Sequence, residues 1–485
     1  MVPQPNVVLV VADTTRADDA TDPHVAPTIT DLGRSGTTAT RAFSTAPWTL
    51  PAHGSLFTGT TPSKHGAHAN HERLGEDLFT LPELFREAGY ETVGVSNNTW
   101  VSVEGGFSRG FETFHQMWQV VQSSAALGAV DDVLEESRIR ALARGVFDGN
   151  PLANAANVLY HYLARGRSEG GGGRTTSWIG DWLNSRDDDR PFFLFANYLE
   201  PHLDYRPPRR LAEKHLPEGV TYREAMAVPQ KPWEYLAGHI TLSEQELRIL
   251  RGLYRAEITR LDEHLADLRD ALADAGEFEN TVFVVVGDHG ENVGDHGLMD
   301  HQYCLYDSLI HVPLVLSGGV FDDSDDLTDL VSIADLPPTL LDVAGIEAQD
   351  ARKQFQGQSF HPDAAVAPRE FVVSEYMAPQ PSMDALERHL GDVPEHVYEY
   401  DRSLQAIRTT EHKLIRGSDG STALYDLVTD PGETRDVAGD NPESVVRLSR
   451  QLDDWLTSFD HADVDESVTI DDERKAQLEQ LGYLR

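Results

Sequence analysis

Short apolar runs that break off into polar or glycine-rich segments dominate the first two thirds of the chain. Val7–Val11 runs into Asp13-Thr14-Thr15-Arg16, and Phe192–Tyr198 into Glu200-Pro201-His202. Thr281–Val286 runs into Gly287-Asp288-His289-Gly290, while Thr92–Ser96 follows a helical stretch, Leu81–Ala88, that stops at Gly89. Runs that are apolar at every position suit strands buried on both faces. Interleaved with helical patterns, they predict an α/β fold, a large mostly parallel sheet sandwiched by helices. Ligands of such sheets sit beyond the carboxyl ends of the strands, where all these polar segments fall. The clearest helix is predicted over Glu244–Ala275, with Ser243 and Glu246 as a capping box and Gly276 as the stop. Leu250, Tyr254, Ile258, Leu261, Leu265, Leu268 and Leu272 recur along it at helical spacing and form a packing stripe.

The pattern changes after Pro337-Pro338 and a helix reaching Ala344. Phe371–Ser374, Leu404–Arg408, His412–Arg416 and Ala423–Leu427 read as short strands joined by Asp/Gly turns, closed by a helix around Ser444–Phe459. This predicts a large α/β domain over 1–360 and a smaller C-terminal α+β subdomain, an antiparallel sheet, over 361–485. Within the first part, 120–175 reads as a helix-rich insertion. It ends in Glu169-Gly170-Gly171-Gly172-Gly173, which lacks the Lys-Ser/Thr of a phosphate loop and reads as a flexible surface loop.

Composition narrows the partners. Asp and Glu total 80 against 40 Lys and Arg, a formal net charge of −40 over 485 residues. Such a surface repels a phosphate backbone, so nucleic acid is not an expected partner. Only 6 of the basic residues are Lys, and an acid-rich, Lys-poor surface suits a salt-loving source. The one cysteine, Cys304, excludes a disulfide framework or a multi-Cys metal site. No apolar run approaches the ~20 residues of a membrane span. The start, MVPQPNVVLVVADTTRAD, lacks the features of a secretion signal, which makes the cytoplasm the expected compartment. An oligomeric state does not follow.

Asp13 and the pair Asp288-His289 each lie directly after a run read as a buried strand, so they project from one sheet edge. Two carboxylates and an imidazole converging there suit a divalent cation. In Ala46-Pro47-Trp48-Thr49-Leu50-Pro51, Pro51 fits the first turn of a helix and leaves Thr49 at its mouth. Free N–H groups there favour an anion, and a hydroxyl touching a cation can become a nucleophile. Read alone, Thr49 would simply cap the helix.

The chain resembles the sulfatase family of the alkaline-phosphatase-like superfamily, nearly end to end. The resemblance rests on six blocks in the family's order. They are Asp13-Thr14-Thr15-Arg16; Thr49-Leu50-Pro51-Ala52-His53 with Thr58-Gly59 and His65-Gly66; and Gly89-Tyr90-Glu91-Thr92. Then come Glu200-Pro201-His202; Asp288-His289-Gly290-Glu291 with Asp295-His296-Gly297; and Leu424-Tyr425-Asp426-Leu427 with Asp430-Pro431 and Glu433. The resemblance implies one divalent metal ion held by Asp13, Asp288 and His289, with Thr49 touching it as nucleophile. Calcium is the expected ion for a sulfatase, with manganese or zinc as in phosphoester relatives. It also implies that His202 faces the ester oxygens or the leaving group, and that His296 and His301 lie in a loop supplying an acid or base. Arg16 would support the metal loop, and His53 and His65 would stand at or near the site.

The departures carry as much information. Thr14 stands where many sulfatases have a second metal-binding Asp, Asn97 where a substrate-binding Lys often occurs, and His53 replaces an Arg. Thr49 stands where most sulfatases carry a Cys or Ser oxidised to formylglycine. The extra methyl of threonine forbids that aldehyde, so formylglycine chemistry is expected to be absent. A plain threonine nucleophile resembles the superfamily's phosphodiesterases and phosphoethanolamine or phosphoglycerol transferases. The expectation is a metal-dependent hydrolase of anionic esters, sulfate or phosphate/phosphonate, on a small-molecule, glycan or lipid substrate. The alternatives are a transferase of that type and a catalytically degraded binding protein. Specificity is assigned to 120–175 and Leu203–Pro232.

Overall fold

In a computed structural model of the chain, residues 4–118, 171–322 and 324–463 are described. A seven-stranded sheet runs in the order Thr37–Thr38, Leu314–Ser317, Thr281–Gly287, Asn6–Ala12, Phe192–Tyr198, Glu91–Ser96, Thr113–Gln116. The four strands foreseen from apolar runs are its contiguous centre, and all pair in parallel. Leu314–Ser317 joins antiparallel to Thr281–Gly287 and carries the edge strand Thr37–Thr38.

The first strand shows why these runs are uniformly apolar. Val7, Leu9 and Val11 enter one core with Leu50, Ala52, Leu56 and Phe57, whereas Val8, Val10 and Ala12 enter the other with Leu250, Ile258 and Leu265. Alternate side chains thus face opposite helical layers, and neither face meets water. The long helix spans Glu244–Asp274, capped by Ser243 and Glu246 as expected, and its whole stripe is buried. Tyr254 in that stripe does more than pack. Its hydroxyl donates to Thr14 O at 2.7 Å and accepts from Arg16 N at 2.9 Å, pinning the loop that follows the first strand.

Gly171–Gly173 correct one expectation. They open a helix, Gly171–Ser185, instead of forming a flexible loop. A Cβ at Gly171 would lie 2.3 Å from Asn97 Oδ1, and one at Gly172 2.6 Å from the His264 ring. Close approach explains the glycines, and tertiary packing overrides their poor helix propensity. The insertion expected at 120–175 lies, up to residue 170, outside the described residues.

The C-terminal part forms an antiparallel sheet of Val372–Tyr376, Leu404–Arg408, His412–Gly417 and Thr422–Asp426, with the helix Pro442–Leu456. It is joined to the short helix Asp307–Ile310, ahead of the strand Leu314–Ser317, by a buried ionic knot. Lys413 Nζ, wholly buried, lies 2.8 Å from Asp307 Oδ1 and 2.8 Å from Glu433 Oε1, while Arg408 Nη2 lies 3.0 Å from Asp307 Oδ2. Burial alone would raise the Asp307 carboxyl, but Lys413 and Arg408 outweigh it and hold it well below the usual range. Removing one partner from such a group strands the others. Lys413→Ala is therefore expected to cost about 3–5 kcal/mol in urea denaturation. Because the folded state holds Asp307 ionised more firmly than the unfolded state does, its contribution is present at neutral pH. It is lost as pH falls below about 4. No helix among the described residues is long and apolar enough to cross a membrane.

Candidate active site

Each of the four central strands ends at this site. Asp13 follows Asn6–Ala12, Asp288 and His289 follow Thr281–Gly287, Asn98 follows Glu91–Ser96, and Asn197 lies in the last turn of Phe192–Tyr198. Thr49 is the first residue of the helix Thr49–Thr58, every residue of which is buried. Its Oγ1 stands 3.3 Å from His289 Nε2 and 3.3 Å from Asn98 Nδ2.

The polar atoms at this junction are divided between those already engaged and those left bare. Asp288 Oδ1 accepts from Thr14 N at 3.2 Å and from His289 N at 2.9 Å. Asp13 Oδ2 accepts from Asn98 Nδ2 at 2.5 Å. The second oxygens, Asp13 Oδ1 and Asp288 Oδ2, are buried and accept no hydrogen bond. His289 Nδ1 lies 2.9 Å from Gly290 O, which places the ring proton there and leaves the Nε2 lone pair facing inward. That Nε2 is 3.8 Å from Asp13 Oδ1 and 3.5 Å from Asp288 Oδ2. Two bare carboxylate oxygens and an imidazole lone pair, with donor atoms within 4.8 Å of one another, fit a divalent cation.

The electrostatics support the same fit. Burial pushes Asp13 up to about 7 against the opposing Asn98 amide. Burial, then the nearby Asp13, raises Asp288 well above the carboxylate range, and burial lowers His289 well below its own. A pair of carboxyls this reluctant to ionise together is what a bound cation relieves.

The other sequence-predicted residues divide into two groups. His53, one turn along from Thr49, donates from Nδ1 to Thr49 O at 3.0 Å and lies 3.4 Å from Asp288 Oδ2. Burial lowers it to about 4, so the imidazole is neutral. His202, also pushed down to about 4 by burial, has Nδ1 at 2.6 Å from Leu203 O. Its ring centroid is 5.1 Å from that of His301, which in turn is 4.5 Å from His289. Burial alone would lower His301, but Asp300 at 2.6 Å and Glu291 at 3.8 Å from Nδ1 reverse the sign and raise it well above the usual value.

His296 is placed elsewhere, stacked on Tyr306 at 3.6 Å and not on the metal-facing histidines. His65 is structural in its contacts, with Ser55 Oγ at 3.2 Å and Ala67 N at 3.1 Å. Arg16 donates to Asp295 Oδ2 at 3.1 Å and to Glu291 O at 3.2 Å, tying the first loop to the second.

Three neighbours escaped the sequence reading. Asn98, Asn197 and Asp300 sit among these residues, and Glu291 joins them, named in the sequence only as the end of a motif. Asn97, the position that drew attention, turns away to Thr175 Oγ1 and Asn197 O. Strand alternation is the signal that was available, since a residue next to an inward-turned one points to the opposite side.

Comparisons with known proteins place the chain in a family and agree with its fold. Residues 5–346 match the Sulfatase family, and residues 294–461 match the family described as N-sulphoglucosamine sulphohydrolase, C-terminal. Arylsulfatase K of Xenopus laevis is 22% identical, the match covering 93% of this chain and 82% of the relative. An N-acetylglucosamine-6-O-sulfatase of Bacteroides thetaiotaomicron is 21% identical, with 96% and 89% covered. Among solved structures, the phosphonate monoester hydrolase of Agrobacterium radiobacter superposes with a TM-score of 0.68 at 20% identity, covering 95% of this chain and 97% of that one.

Proposed function

The chain belongs to the sulfatase family of hydrolases, and from that premise we propose that it cleaves anionic esters with the Thr49 hydroxyl as nucleophile. The observation that carries the reading is the position of Thr49 Oγ1, 3.3 Å from His289 Nε2 at a helix mouth beside two carboxylates with bare oxygens. Asp13, Asp288 and His289 would hold the cation, which supplies Lewis-acid charge neutralisation and lowers the hydroxyl's pKa when bound.

Thr49 Oγ1 attacks the sulfur or phosphorus in line with the ester oxygen. An O–S or O–P bond forms to Thr49 as its hydroxyl proton leaves to solvent, the bond to the departing alcohol breaks, and a proton passes to that alcohol. His301, held protonated beside Asp300, is the group available to supply it, with the neutral His202 ring packed edge-on 5.1 Å away. Asn98 Nδ2 steadies the attacking oxygen, and His53 holds the Thr49 backbone. Water then attacks the Thr49 adduct and releases the acid.

The second step favours phosphate and phosphonate esters. Formylglycine releases sulfate by elimination from a gem-diol, and threonine lacks the second hydroxyl that this exit needs. The test is a panel of aryl sulfate, aryl phosphate, bis-aryl phosphate and aryl phosphonate, with zinc, manganese or calcium in high salt. Turnover is expected with the phosphorus esters and at most a single burst with the sulfate. Steady turnover of the sulfate alone would refute the phosphorus preference, and no turnover of any would refute the reading as a whole. Adding alcohol acceptors tests transfer, which would appear as a new ester in place of free acid.

A further inference from the structure

The donor set says which ion the centre is shaped for. Neither carboxylate has both oxygens free of hydrogen bonds. Asp288 Oδ1 is taken by Thr14 N and His289 N, and Asp13 Oδ2 by Asn98 Nδ2. Each leaves one oxygen bare, and that is the one most readily offered to an ion. Asn98 might have added a neutral oxygen, but Trp100 N donates to its Oδ1 at 2.9 Å and so fixes the amide with its NH2 group toward Asp13 and Thr49. The position after Asp13 is Thr14, which has no carboxylate to offer. What remains is Asp13 Oδ1, Asp288 Oδ2, Thr49 Oγ1 and the His289 Nε2 lone pair: three oxygens and one nitrogen.

We infer that this centre is built for zinc, or a first-row ion sharing its preference for imidazole, and not for calcium, the ion the family resemblance first suggested. The inference rests on the metal-dependent reading above. Calcium takes about six to eight oxygens in a roomy shell, whereas four donors with an imidazole among them suit a small tetrahedral ion. Asn197 Oδ1 and Thr14 Oγ1 are also buried without a hydrogen bond. Recruiting both would bring the protein oxygens to five, so a calcium shell would have to be completed by water or substrate while the imidazole nitrogen stayed in it, a donor that calcium disfavours.

The test uses the full-length protein stripped with a chelator. Equilibrium dialysis against zinc or calcium is read by elemental analysis, with melting temperature measured in parallel. One zinc per chain and a higher melting temperature are expected, with no bound calcium and no stabilisation at about 1 mM calcium. His289→Asn, which exchanges the nitrogen donor for an amide oxygen, should weaken zinc binding at least about a hundredfold and admit calcium. If that variant fails to fold, Asn98→Asp serves instead, since a carboxylate there adds the oxygens calcium lacks. Calcium bound one per chain by the wild type, undisplaced by zinc and supporting ester hydrolysis, overturns the inference alone. Binding of neither ion overturns it together with the metal-dependent reading.

Discussion

Thr49→Ala is expected to leave a folded protein whose turnover of any anionic ester drops by at least about four orders of magnitude, because the attacking atom itself is gone. The substitution deletes a methyl and a hydroxyl at the first position of a buried helix, so secondary structure should be unchanged while metal binding weakens by the loss of one of its four donors. Thr49→Ser supplies the contrast. It keeps the oxygen beside His289 and Asn98 and should stay within about tenfold of wild type. Mass spectrometry of quenched turnover should find one phosphoryl or sulfuryl group on the peptide containing Thr49, and none in the alanine variant. An alanine variant as active as wild type would remove Thr49 from the mechanism, whatever the metal does.

Removing the ion, or one of the carboxylates that would hold it, should have an effect nearly as large and with an unusual signature. Asp288→Asn is expected to abolish stoichiometric metal binding and, with it, turnover. Stability should move in opposite directions with and without the ion. Asp13, raised to about 7 in the fold against about 4 in the unfolded chain, binds its proton more tightly when folded. The metal-free wild type should therefore lose stability as pH rises from about 4 to about 7. Asp288→Asn removes the like charge beside Asp13, so above neutral pH the metal-free variant should melt higher than the metal-free wild type. With the ion present the order should reverse, since only the wild type gains about 2.7 kcal/mol at a hundredfold excess over Kd. Melting curves at two pH values, with and without chelator, check both halves. A variant less stable than wild type under every condition would contradict the account of two crowded carboxyls.

The sheet could be read from the chain because its central strands are apolar at every position, a pattern that two-sided burial imposes and little else does. The cap at Ser243 was equally legible, being local chemistry within four residues. Leu314–Ser317 and Thr37–Thr38 were not foreseen, since short edge strands are fixed by their neighbours more than by their own pattern. Of the candidate site, carboxylates and histidines announced themselves by chemical type and by their place after a strand. Asn98 did not, because an amide carries no signal until Asp13 and Thr49 are known to lie beside it. His296 shows the opposite failing. Its motif context suggested the site, but a positive φ of 53° turns it toward Tyr306 instead.

The four central strands that deliver Asp13, Asn98, Asn197 and Asp288 also govern how the site can come into being. These residues are scattered across most of the chain and meet only when Val11 pairs with both Asn197 and Val286. A slip of one residue along any of these strands would reverse its side chains and turn its contribution away. The full donor set exists only once the sheet has found its alignment. Recovered activity after refolding is thus a readout of strand alignment, sensitive to errors that overall helix and sheet content would miss.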